Sequence, residues 1–135
     1  NGHLYAGTTN CDTGGQVWRS DGSSWTKVVN GGFGDLNNCA IQTLTVFGPY
    51  LYATTDNHPW NWDYTGLEVW RTLDGVHWNQ VNPDGFGDAN NRASQVNSAS
   101  VKAFRGSLYI GVSNWANGTE IWRMLHRISL PLIVR

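Results

Sequence analysis

The chain has 135 residues and 40% apolar content, which suits one ordinary domain able to bury a core without metal or disulfide staples. Nine Lys and Arg against ten Asp and Glu leave a net charge of −1, with no basic run to gain counterion-release energy, so nucleic acid is excluded as an expected partner. No apolar run approaches the roughly 20 residues of a membrane-spanning helix, and the polar opening Asn1-Gly2-His3 reads as a secreted chain, outside the membrane, whose signal peptide has been removed.

Glu and Lys together number four, against 16 Gly, 14 Asn, 11 Thr and 8 Trp. Helix formers are scarce and strand and turn residues abundant, so the expected fold class is all-β. Three segments repeat along the chain. The first runs through Leu4-Tyr5-Ala6-Gly7-Thr8, Gln16-Val17-Trp18-Arg19-Ser20, Asp21-Gly22, Trp25, Val28 and Gly32-Phe33-Gly34-Asp35. The second has Leu51-Tyr52-Ala53-Thr54-Thr55, Glu68-Val69-Trp70-Arg71-Thr72, Asp74-Gly75, Trp78, Val81 and Gly85-Phe86-Gly87-Asp88. The third carries Leu108-Tyr109-Ile110-Gly111-Val112 and Glu120-Ile121-Trp122-Arg123. Trp18, Trp70 and Trp122 stand 52 residues apart. The repeats occupy about residues 1–40, 41–93 and 94–125, followed by a tail over 126–135.

In the complete second copy, apolar alternation predicts strands over Gln42–Phe47, Tyr50–Thr55, Leu67–Thr72 and Trp78–Val81. Gly48-Pro49 and Leu73-Asp74-Gly75 supply tight turns between them. A repeated four-stranded antiparallel unit of about 50 residues is the signature of a β-propeller blade. The segments Thr72-Leu73-Asp74-Gly75-Val76-His77-Trp78 and Ser20-Asp21-Gly22-Ser23-Ser24-Trp25 resemble the Asp-box hairpins of sialidase-like bacterial propellers, with shorter Asp-to-Trp spacing. That resemblance implies the fold and a structural hairpin, and carries no implication of activity.

Closure needs at least four blades, or about 208 residues at this period, so the expectation is an incomplete propeller in one chain. The first repeat begins at its second strand. The third is expected to have strands at Ser100–Phe104 and Glu120–Arg123 but lacks an Asp-Gly turn and its Trp. Two readings stay open: a fragment of a longer propeller protein, or copies that self-associate by strand addition. For the second, the tail residues Ile128, Leu130, Leu132, Ile133 and Val134 form the expected assembly strand, with Pro131 turned off the ladder.

Antiparallel blades bring the loops between second and third strands to the same face as the connections between blades. Cys11 and Cys39 therefore meet on one face and are expected to form a disulfide. An insertion over residues 56–66 enters that face with His58, Trp60, Trp62, Asp63 and Tyr64, and the third repeat adds Trp115. Aromatic rings flanked by Asn and Asp suit a sugar face or a protein partner equally, and also a loop folded over its own blade. The five recurring Trp read as blade packing, with Arg19, Arg71 and Arg123 stacked on them. No paired carboxylates or metal-ligand His spacing stands out, so the site reading is non-catalytic, with no metal and no cofactor. The Gly-Phe-Gly-Asp loops followed by Asn37-Asn38 and Asn90-Asn91 supply oxygen ligands of the calcium type and also what a tight connection needs. The functional expectation is a secreted subunit of an extracellular assembly, with glycan binding as the alternative.

Overall fold

The structure, a computed structural model, describes residues 2–57, 64–93 and 100–125. The expected ligand residues His58, Trp60, Trp62 and Asp63, and the assembly-strand residues Ile128, Leu130, Leu132, Ile133 and Val134, lie outside them. Among the described residues ten strands form three antiparallel sheets. The first contains β1 (Leu4–Gly7), β2 (Val17–Ser20) and β3 (Trp25–Val29) in that order. The second contains β4 (Asn38–Phe47), β5 (Tyr50–Asn57), β6 (Val69–Thr72) and β7 (Trp78–Gln80). The third contains β8 (Ser100–Phe104), β9 (Ser107–Val112) and β10 (Glu120–Leu125).

Each sheet is one sequence repeat in which each strand pairs antiparallel with its chain neighbour, and Gly48-Pro49 and Arg105-Gly106 are two-residue turns between such neighbours. β4 and β5 extend beyond the expected ends, to Asn38 and Asn57. The insertion therefore opens with two buried strand residues, Asp56 and Asn57, before any loop. In both hairpins that follow the third strand of a repeat, a carboxylate closes the turn. Asp21 Oδ1 accepts from the Ser23 and Ser24 N–H groups at 2.9 and 3.0 Å. Asp74 Oδ1 accepts from Val76 and His77, both at 2.8 Å. These bonds hold both carboxyls well below the usual carboxylate range; for Asp74 the His77 ring adds the largest share.

Two apolar clusters lie between the sheets. Val17, Val29, Ile41 and Ala53 fill the space between the first and second, and Tyr52, Leu67, Val69, Leu108, Ile110 and Trp122 that between the second and third. The first two backbones approach closely, since a Cβ on Gly7 would sit 2.5 Å from the Ile41 carbonyl oxygen. Only glycine allows that distance.

One device joins the sheets twice. Gly32 and Phe33, and likewise Gly85 and Phe86, adopt positive φ in a left-handed turn. For Phe this conformation costs on the order of 1 kcal/mol. The turn throws Phe33 flat onto Trp70 of the next repeat, with centroids 4.5 Å apart, and Phe86 onto Trp122 at 4.4 Å. Beside each stack, Asn38 Nδ2 donates to the turn's Gly32 carbonyl and to Glu68 Oε2 at 2.9 and 2.8 Å. Asn91 repeats this toward Gly85 and Glu120 at 2.9 and 3.0 Å. The same glutamates accept from Trp70 Nε1 and Trp122 Nε1.

Two packing expectations are corrected. Trp25 is 49% exposed, because β3 is an outer strand with no layer over it. The Arg71 guanidinium lies over the Tyr50 ring at 4.6 Å, not over a strand Trp, since Phe33 already occupies the Trp70 face.

Replacing Phe86 with Ala should cost about 3–5 kcal/mol, the penalty for an emptied aromatic site. Asn91→Ala should cost about 1–3 kcal/mol by removing the amide that donates to the Gly85 carbonyl and to Glu120 Oε2 and accepts from the buried Asn114 side chain. Urea unfolding followed by Trp fluorescence measures both; losses below 1 kcal/mol in each variant would show that the stack and its amide do not hold the sheets together.

Candidate functional site

A polar groove of about 630 Å³ lies between the first two sheets, lined by the Thr9–Asp12 segment, Cys39, Ala40, Gln42 and Asp56. It arises from two irregularities in one strand pair. In the β4–β5 ladder Asn38 faces Asn57 and Ala40 faces Asp56, so Cys39 is an extra residue. Ile41 faces Thr55 and Thr43 faces Thr54, so Gln42 is a second. Bulges turn side chains that a regular ladder would send elsewhere, and both bulged residues line the groove.

Cys39 is buried and forms a disulfide with Cys11, as the blade topology led one to expect. The bond ties the loop after β1 to the start of β4, alongside the Asn10 N–H to Cys39 carbonyl bond of 2.7 Å. The Asn10 side chain then shapes the rim by accepting from the Asp12 and Thr13 N–H groups.

Asp56 is 2% exposed. Its Oδ2 accepts from Gln42 Nε2 at 3.2 Å, while its buried Oδ1 has no hydrogen-bond partner among the described residues. Burial pushes its pKa up to about 6, against the smaller opposing pull of the Gln42 bond and the Arg92 charge. Arg92 lies over the Tyr64 ring at 3.7 Å. Tyr64 is therefore part of a cation–π pair, half-buried, rather than an open platform. Trp115 is 83% exposed in the corresponding loop of the third repeat, so it remains an aromatic surface on the connection face.

No family model, curated protein or solved structure matches this chain.

The Gly-Phe-Gly-Asp loops spend their oxygens on the protein itself. Asp88 Oδ1 accepts from the Asn90 N–H, and Oδ2 from the side chains of Asn114 and Asn117, each at 2.9 Å. Those bonds, led by the Asn90 N–H, draw its pKa down to about 2. Glu68, whose role sequence reasoning left open, has its pKa raised chiefly by burial. Its recurrence with Glu120 two residues before a Trp was the available signal. Asp56 and Gln42 gave none, because neither recurs and bulges leave no mark in composition.

Because the folded chain holds the Asp56 proton more tightly than the unfolded chain, the associated stability is fully present below about pH 4 and is lost as pH rises through 6. The size is at most about 3 kcal/mol. Asp56→Asn should therefore be at least as stable as the parent at pH 7 and should flatten the decline between pH 4 and 6.5, leaving Glu68's share of it. Denaturant midpoints across that range measure this, and an unchanged slope would contradict it. Reducing the Cys11–Cys39 bond, which spans 28 residues, should lower stability by about 3 kcal/mol; an equal midpoint with and without reductant would remove the clamp from the account.

Proposed function

We propose that this chain is a non-catalytic, propeller-type subunit of an extracellular assembly whose copies join through an open blade face. The observation carrying this reading is one position compared across three sheets. Val17 and Val69 are 0% exposed because each meets the next sheet, whereas Ile121, at the same register, is 62% exposed. Phe47 is buried against the third sheet, while its counterpart Phe104 is 57% exposed. At the other end, Leu4 is 63% exposed and its counterpart Leu108 is fully buried. The third sheet thus offers one half of a contact that the chain makes twice internally, and the first sheet offers the other half. A head-to-tail contact of this kind builds rings or filaments.

β10 pairs only with β9 among the described residues, where β6 in the second sheet has β7 outside it. The apolar segment Ile128–Val134 is the proposed donor to such an edge in a neighbouring copy. The non-catalytic reading is supported by the glutamates, both committed to the sheet-joining bonds. A disulfide and the absence of any long apolar helix among the described residues are compatible with an extracellular location. The second reading, glycan binding, is favoured by Trp115 standing exposed on the connection face.

Light scattering of the full chain should give a mass several times that of a monomer. Truncation after Arg127 should reduce it to monomers or aggregates, and Ile121→Asp should weaken association at least tenfold by placing a charge on the contact. A monodisperse full-length monomer at micromolar concentration would overturn the proposal.

A further inference from the structure

We propose that the groove between the first two sheets binds a small organic cation bearing N–H donors, an alkylammonium or guanidinium group, seated on the Asp56 carboxylate. Among the described residues the groove is lined by two carboxylates, Asp56 at its base and the exposed Asp12 at its rim, and by no cationic side chain. Asp56 is 2% exposed and its Oδ1 accepts from nothing among the described residues. A buried carboxylate oxygen left in that condition costs free energy that a donor from a ligand would restore.

Two neighbouring groups are already engaged. Gln42 donates its amide to Oδ2, and the Asn10 side-chain oxygen accepts two turn N–H groups. Arg92, the one cation acting on Asp56, is stacked on Tyr64, and no ion pair joins it to Asp56 within 4 Å.

The chemistry of the groove selects among ligand classes. Anions meet two carboxylates. A hard divalent cation needs six or more oxygens, several of them charged, and no group of three His, Cys, Asp or Glu stands together among the described residues. A neutral polyol would donate to Oδ1 but leave the charge uncompensated, and charge-assisted bonds are about twice as strong as neutral ones. The volume of about 630 Å³ is that of a site for a small molecule or a single long side chain. The Cys11–Cys39 bond and the bulges hold the walls in place before a ligand arrives, which lowers the ordering cost of binding.

Titration calorimetry with glucosamine, agmatine and putrescine tests this, with glucose and N-acetylglucosamine as neutral counterparts. Saturable binding is expected for the cationic probes and none for the neutral ones. Asp56→Asn, which keeps shape and should keep the fold by circular dichroism, should weaken binding at least about tenfold. Asp12→Asn, at the exposed rim, should weaken it severalfold. Tighter binding of glucosamine would identify an amino sugar as the source of the ammonium, and tighter binding of agmatine or putrescine a side chain or polyamine. Glucose binding as well as glucosamine, undiminished binding by folded Asp56→Asn, or no saturable binding by any cationic probe at millimolar concentration would overturn the proposal.

Discussion

A phenylalanine forced into a left-handed turn and stacked on the tryptophan of the following repeat is the contact on which the arrangement of sheets depends. Three or four short strands have little stability alone, because a small sheet with two apolar faces must cover both. The stack supplies aromatic burial where the connection leaves one sheet for the next. The amide beside it decides the angle, since Asn38 must reach the Gly32 carbonyl and Glu68 together. Strain in the Phe33 and Phe86 backbones is tolerable only because the ring has this one destination. The carboxylates of Glu68 and Glu120 are stabilised by Trp and Asn donors in the same place, so they are structural parts of the joint rather than reagents.

Much of this order was legible in the sequence because it is local and repeated. Strand alternation, glycine turns and a 52-residue period survive in one dimension, and they gave the three sheets and nearly every strand in place. The Cys11–Cys39 bond was legible one step further out, through the rule that alternate connections of an antiparallel blade share a face. The stack leaves no local mark in the sequence: Phe33 and Trp70 are 37 positions apart, and positive φ at a phenylalanine runs against intrinsic preference. For the same reason the sequence does not reveal that Phe33 covers the Trp70 face and leaves Arg71 to Tyr50.

The groove was invisible for a different reason. A bulge changes which way a side chain points without changing residue type, so Cys39 and Gln42 look like ordinary members of a long strand. The insertion after Asn57 drew attention to aromatic residues, while the buried carboxylate just before it read as part of a polar loop. Its burial depends on β5 running two residues past Thr55, and strand ends are where sequence patterns are least informative.

Comparison of the repeats separates what the fold needs from what it merely carries. Thr9, Asp56 and Ser113 stand five residues beyond the Leu-Tyr leucine of each repeat, and each is followed by an asparagine, at 10, 57 and 114. In all three copies the asparagine side chain receives a backbone N–H from the loop beyond. That asparagine is therefore structural. The position before it is filled by a hydroxyl in the first and third copies, where Thr9 bridges Ala40 of the next sheet and Ser113 bridges Arg92. In the second copy an aspartate takes the place, at 2% exposure, with one oxygen unbonded and its pKa raised by burial. A hydroxyl carries no charge to desolvate, so burying the Asp56 carboxyl opposes folding in a way that Thr9, which is exposed, and Ser113, which is half-buried, do not. A residue that opposes folding where two sister positions do not is accounted for by what it faces, and Asp56 faces the groove.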